Sequence, residues 1–121
     1  MQRTATYREQ SRIFLAQARE ELAKGDIPQA SEKAWGAAAQ MVKAVAQQRG
    51  WRHQAHRYLF EVIRRLRRET GDSEVTRLFS HASWLHSNFY EDVYEAEDVE
   101  ILLPEIERLI NILEGQLNPS A

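Results

Sequence analysis

Residues 30–51 read ASEKAWGAAAQMVKAVAQQRGW, a stretch with helical character that contains no Leu or Ile and sets Trp35 beside Gly36. Its polar positions, Gln29, Lys33, Gln40, Lys43 and Gln47, fall with Gly36 into one stripe at spacings of three and four. The rest is small or apolar apart from Ser31, Glu32 and Gln48 near the ends. A helix apolar around most of its circumference is buried on more than one side, and Ala30, Ala34, Ala37, Ala38, Ala44 and Ala46 let neighbouring helices approach closely. The stretch therefore predicts a central helix, with helices of its own chain on one side and a partner subunit on another. Trp35 reads as a packing anchor rather than a ligand platform.

Around that helix the apolar residues recur at three and four, and no strand pattern interrupts them. A first helix is expected over about Ala5 to Lys24, with Tyr7, Phe14, Leu15, Ala18 and Leu22 on one face and Gly25 ending it. The second opens after Asp26, with Pro28 in its first turn, and runs to about Gln48 before Gly50. A third spans about Gln54 to Glu69, with Ala55, Leu59, Val62, Ile63 and Leu66 inward and Arg57, Glu61, Arg64, Arg65 and Arg68 outward. The fourth starts near Ser73, capped by Asp72 or Ser73, and buries Val75, Leu78, Phe79, Ala82, Leu85 and Phe89. The fifth covers about Ala96 to Leu117, where Pro104 predicts a kink or a shifted start. The tail NPSA is expected to fray. These elements predict an all-α, up-and-down bundle of four main helices plus a short or kinked fifth, as one domain over residues 1–121.

The chain has 121 residues and no cysteine, which excludes disulfides, thiolate catalysis and Cys-ligated zinc. The opening MQRTATYREQSR lacks an apolar run, and no window approaches the ~18 apolar residues of a membrane span. A soluble, cytoplasmic protein without membrane attachment is expected. The net charge of −2 conceals two opposed blocks. Between Arg49 and Arg68 lie seven arginines against Glu61 alone, and between Glu91 and Glu114 nine acids against Arg108 alone. Such blocks can neutralise each other within a subunit or across a dimer, which is the favoured reading, or the basic one can meet nucleic acid.

The four histidines lie in two clusters, WRHQAHRY with His53 and His56, and HASWLHSNFYE with His81 and His86. Three converging ligands are not in sight, since His81 and His86, five apart, do not share a helical face. No metal or cofactor is therefore expected. Histidine titrates near neutrality and can move a proton from a ribose hydroxyl while an arginine stabilises the phosphate. Arg77, His81, Trp84 and Asn88 line up at spacings of four, three and four, and Arg49 with His56 forms a second such pair across Gly50. The bland alternative, histidines capping helices or bonding across the bundle, needs no ligand. The arginine-rich EVIRRLRRE, residues 61–69, offers a cationic stripe for phosphates, but its apolar positions pack one face and no sequence-reading module accompanies it.

The phrases GDIPQASEKAWGAAAQMVKAVAQQRGW (residues 25–51), then His56, then LFSHASWLHSNFYE (residues 78–91) resemble the PaREP family of small helical proteins, within the HEPN superfamily. The resemblance covers about residues 10 to 115. It implies a helical bundle that is usually a homodimer. HEPN relatives include metal-independent RNases and toxin partners of small nucleotidyltransferases, whose catalytic signature is an arginine, then four to six intervening residues, then a histidine, acting at the dimer interface. Arg49 with His56 alone carries that spacing here, and it sits in the first half of the domain rather than late. The expectation is a non-enzymatic, dimeric HEPN-type module that binds a nucleotide, an RNA or a companion protein such as a nucleotidyltransferase, in a toxin–antitoxin or stress setting. Its candidate contacts are Lys33, Arg49, Arg77, His56, His81, His86, Asn88 and Tyr90. The alternative is a metal-independent endoribonuclease with His56 or His86 as general base.

Overall fold

A computed structural model describes residues 2–118. Five helices follow one another in an up-and-down bundle: α1 (Gln2–Lys24), α2 (Ile27–Arg49), α3 (His56–Thr70), α4 (Glu74–Glu91) and α5 (Ala96–Glu114), with no strand among the described residues. Local chemistry sets the boundaries. Gly25, Gly50 and Gly71 follow α1, α2 and α3 with φ of 83°, 73° and 73°, a left-handed geometry that costs an L side chain ~1–2 kcal/mol and glycine almost nothing. At Gly50 the reversal is closed by the Trp51 N–H donating to the Ala46 carbonyl. The Asp26 carboxylate accepts the Gln29 N–H at the start of α2, a cap worth ~1 kcal/mol. The Asp72 carboxylate accepts the Glu74 N–H at the start of α4, and the Asp98 carboxylate accepts the Glu95 N–H before α5.

Some boundaries differ from expectation. α1 begins earlier, at Gln2, and α3 later, at His56, so Ala55 lies just outside the helix and is half-buried. α5 is neither short nor restarted at Pro104: it continues through the proline to Glu114, and Leu117 follows it in a turn. Asn118 does not fray, because its backbone N–H donates to the Gln48 side chain and its carbonyl accepts from it. The remaining tail residues, 119–121, lie outside the described residues.

α2 is the axis of the bundle and packs against all four other helices. Twelve of its residues are buried, among them Ala34, Ala37, Ala38, Val42, Ala44 and Val45, and even its polar stripe is half-buried from Lys33 to Gln47. Helices of the same chain account for this burial, so α2 does not require the partner subunit that its sequence suggested. Gly36 matters through its bare Cα: a Cβ there would stand 3.0 Å from the Phe14 ring of α1. The Ser11 hydroxyl donates to the Ala37 carbonyl at 2.6 Å, a direct tie between α1 and α2. Leu15, Leu59, Ile63, Leu66, Phe79, Leu85, Ile106 and Leu109 complete the core.

Ion pairs sit at the periphery, and they do not join the two opposed charge blocks. Arg49 pairs with Glu69 and Arg52 with Glu61, inside the basic region. The acidic end instead meets α1, through Arg19 with Glu107 and through Arg8 and Arg12 with Glu114. Neutralisation of one block by the other within the subunit is therefore absent among the described residues, where α3 and α5 do not pack directly on each other.

Candidate functional site

Glu32 and Trp35, one turn apart on α2, meet the first residue of α3, His56, and His86 of α4. The His56 ring stacks on the Trp35 indole at 4.7 Å with 16° between planes, and the His86 ring stacks on it at 5.1 Å and 30°. The two imidazoles are themselves 5.3 Å apart. Phe79 closes the inner side of Trp35 at 5.5 Å, Phe60 lies 5.7 Å from His56, and Tyr90 stands edge-on to His86 at 5.6 Å. The cluster thus grades from the core, with Trp35 only 7% exposed, to solvent, with Tyr90 72% exposed.

The two histidines are held differently. The Glu32 carboxylate is 2.8 Å from His86 Nδ1, and an ionised carboxylate can only accept, so Nδ1 is the donor and Nε2 is left without a protein partner among the described residues. His56 makes no hydrogen bond through either ring nitrogen to any described residue, which leaves its polar atoms to a ligand or water. Partial burial pushes the His56 imidazole below the ordinary histidine value, the neighbouring His86 pushes it the same way, and Glu32 opposes them. His56 is therefore neutral near pH 7 and able to accept a proton, while Glu32 orients the His86 ring.

A cavity of about 150 Å³ opens beside His56, lined by Trp35, Ala39, Lys43, His53, Gln54, Ala55, His56 and Leu59. His53 is buried and its Nδ1 lies 2.8 Å from the Trp51 carbonyl, so this nitrogen is the donor. No group of three or more His, Asp or Glu side chains converges as metal ligands among the described residues.

Of the residues singled out in the sequence, His56, His86 and Tyr90 come together and the others go elsewhere. Arg49, half-buried, reaches Glu69 and Gln116 and lies over the Trp51 ring at 5.2 Å, so none of its partners belongs to the histidine cluster. Arg77 is exposed and pairs with Glu74 at 3.5 Å. His81 is engaged by Glu105 and stacks near Trp84. Lys33 lies 4.8 Å over the Phe14 ring, against α1. Asn88 is not a surface contact: it is 1% exposed, its amide donates to Ser31 Oγ, and its carbonyl oxygen accepts the Val93 and Tyr94 N–H groups.

Glu32 was missed as a member of the cluster, and Trp35 is a buried anchor against which both histidine rings stack. Their spacing of three on α2 carried the signal, a carboxylate one turn before a tryptophan on a helix otherwise almost free of charge on its buried faces.

None of the curated proteins compared matches this sequence. In fold the chain is similar to a protein from Sulfolobus solfataricus known from its crystal structure, with a TM-score of 0.79, 24% sequence identity, and coverage of 90% of this chain and 97% of that one. The sequence profile of the archaeal PaREP1/PaREP8 family matches residues 6–110. Since that match spans most of the bundle, from the first turns of α1 to the latter half of α5, the chain belongs to the archaeal PaREP1/PaREP8 family.

Proposed function

We propose that this chain is a HEPN-type module that works as a cytoplasmic homodimer and binds a nucleotide, free or within an RNA, at the Trp35–His56–His86 cluster without cleaving it. The observation that carries the reading is His56: it stacks on Trp35 with both ring nitrogens free of protein partners. Flat aromatic and imidazole surfaces with unused hydrogen-bonding edges suit a nucleobase. Binding is favoured over cleavage because Arg49 and Arg77, the arginines positioned by sequence to stabilise a phosphate, are engaged by Glu69, Gln116 and Glu74. In titrations with the four ribonucleoside monophosphates and a uridine decamer, the imidazole resonances of His56 and His86 are expected to shift together. His56→Ala is expected to weaken binding at least tenfold. No shift with any of these ligands would sink the reading.

A second reading, metal-independent RNA cleavage, has one specific support. The Glu32 carboxylate orients His86 as a carboxylate orients the general base of a hydrolase. RNA incubated in excess chelator decides between them: cleavage that disappears in both His86→Ala and Glu32→Gln would make the protein a nuclease.

A further inference from the structure

The cavity beside His56 is lined by a cation, Lys43, that no acid among the described residues pairs with. Trp35, Ala39 and Lys43 follow one another at spacings of four along α2 and form one wall, with small Ala39 leaving the space. His53, Gln54 and His56 come from the loop and the start of α3. Lys43 is half-buried, yet it makes no hydrogen bond or ion pair with any described residue. A half-buried lysine lays its stem along the protein and keeps its ammonium at the mouth of the recess, where it can meet an anion. The acids of α2 and α3, the two helices that line it, are already engaged, Glu32 by His86, Glu61 by Arg52 and Glu69 by Arg49.

The lining is also one-sided in chemistry. The Gln54 side-chain oxygen accepts the His53 N–H, which leaves its amide nitrogen as a donor with no partner among the described residues. No carboxylate lines the cavity. At about 150 Å³ the space is an order of magnitude larger than the ~10–15 Å³ that admits one water. A donor-rich, acid-free recess with one uncompensated ammonium matches a compact oxyanion.

We propose that this cavity is a phosphate subsite, in which the Lys43 ammonium and the Gln54 amide hold the phosphate of a ligand whose base lies on the Trp35–His56–His86 stack. The proposal rests on the nucleotide reading above, and His56, common to the stack and the cavity wall, joins the two. It assigns the charge recognition to a lysine of α2 rather than to any of the arginines.

The test is calorimetric titration of the full chain with the four ribonucleoside 5′-monophosphates, the four matching nucleosides and inorganic phosphate. It is repeated on Lys43→Gln, Lys43→Arg and Lys24→Gln, the last an equal charge change at the exposed end of α1. The native protein is expected to bind a monophosphate at least tenfold more tightly than its nucleoside. Lys43→Gln should abolish that difference while leaving nucleoside affinity unchanged, Lys43→Arg should keep most of it, and Lys24→Gln should keep all of it. Equal affinities for nucleoside and monophosphate in the native protein, or an unchanged monophosphate affinity in Lys43→Gln, would overturn the subsite and leave the nucleotide reading standing. Inorganic phosphate bound in a Lys43-dependent way, with no nucleoside or monophosphate preferred over it, would uphold the subsite and remove the base from the stack. Binding of none of these ligands at millimolar concentration would end both.

Discussion

Asn88 illustrates how one amide can be committed to the fold. Its oxygen serves two successive backbone N–H groups, of Val93 and Tyr94, just after α4 ends at Asp92 in a left-handed conformation with φ of 51°. Its nitrogen reaches across to Ser31 on α2, whose hydroxyl in turn donates to the Ile27 carbonyl. Removing the amide leaves two part-buried N–H donors and the buried Ser31 hydroxyl oxygen without their partner. Asn88→Leu is therefore expected to lower unfolding free energy by about 2–4 kcal/mol, read as an earlier urea midpoint at unchanged slope. Nothing in the sequence distinguished Asn88 from a ligand contact. Its spacing of four from Trp84 places it near an exposed aromatic, with Trp84 55% exposed, but the helix phase that turns it inward follows the buried Leu85 and Ala82 rather than Trp84. The same limit applies to Glu32 and His86. They are 54 positions apart, and their meeting depends on how α2 and α4 are rotated against each other, which periodicity along either helix does not encode.

At the scale of helices, far more was legible. The left-handed glycines, the Asp26 cap and the small-residue faces of α2 all follow from local chemistry, so the number and order of elements could be read directly. The reading faltered where local rules and packing disagree, above all at Pro104. A proline in a helix interior removes one hydrogen bond and crowds the preceding turn, at ~3 kcal/mol. α5 nevertheless continues, because Val99, Leu103, Ile106, Leu109, Ile110 and Leu113 bury one continuous face on both sides of the proline. Pro104 itself is exposed. Pro104→Ala should therefore restore the lost bond without disturbing the core, and raise stability by about 1–3 kcal/mol in denaturant melts. An unchanged melt would mean that α5 is already bent enough at this point to relieve the proline.

For the whole molecule, acid is the informative perturbant. Because the folded state holds the His56 imidazole below its ordinary value of 6.5, the unfolded chain takes up a proton there that the folded chain resists. Stability from this source is complete above about pH 6.5 and declines as pH falls from there toward the lower folded value. A second decline is expected below about 4.5, since Glu74, held low by Arg108, and Glu114, held low by Arg12 and Arg8 against the opposing effect of burial, must then protonate. Urea midpoints measured between pH 8 and 5 should fall on acidification, and His56→Asn should flatten that limb while leaving the lower one. A native curve flat down to pH 5 would mean that His56 accepts its proton as readily folded as unfolded.

The ion pairs between α1 and α5 run antiparallel, with Arg8 and Arg12 at the last turn of α5 and Arg19 further back along it, at Glu107. The first turns of α1 therefore lie beside the last turn of α5, and the path of the described chain through the bundle is a ring that lacks only one short connection. Sequence order is then largely a matter of where that ring is cut. A few flexible residues joining position 118 to position 2 would close it, and the exposed turn from Thr70 to Ser73 is where it could be reopened with the bundle, the histidine pair and its cavity unaltered.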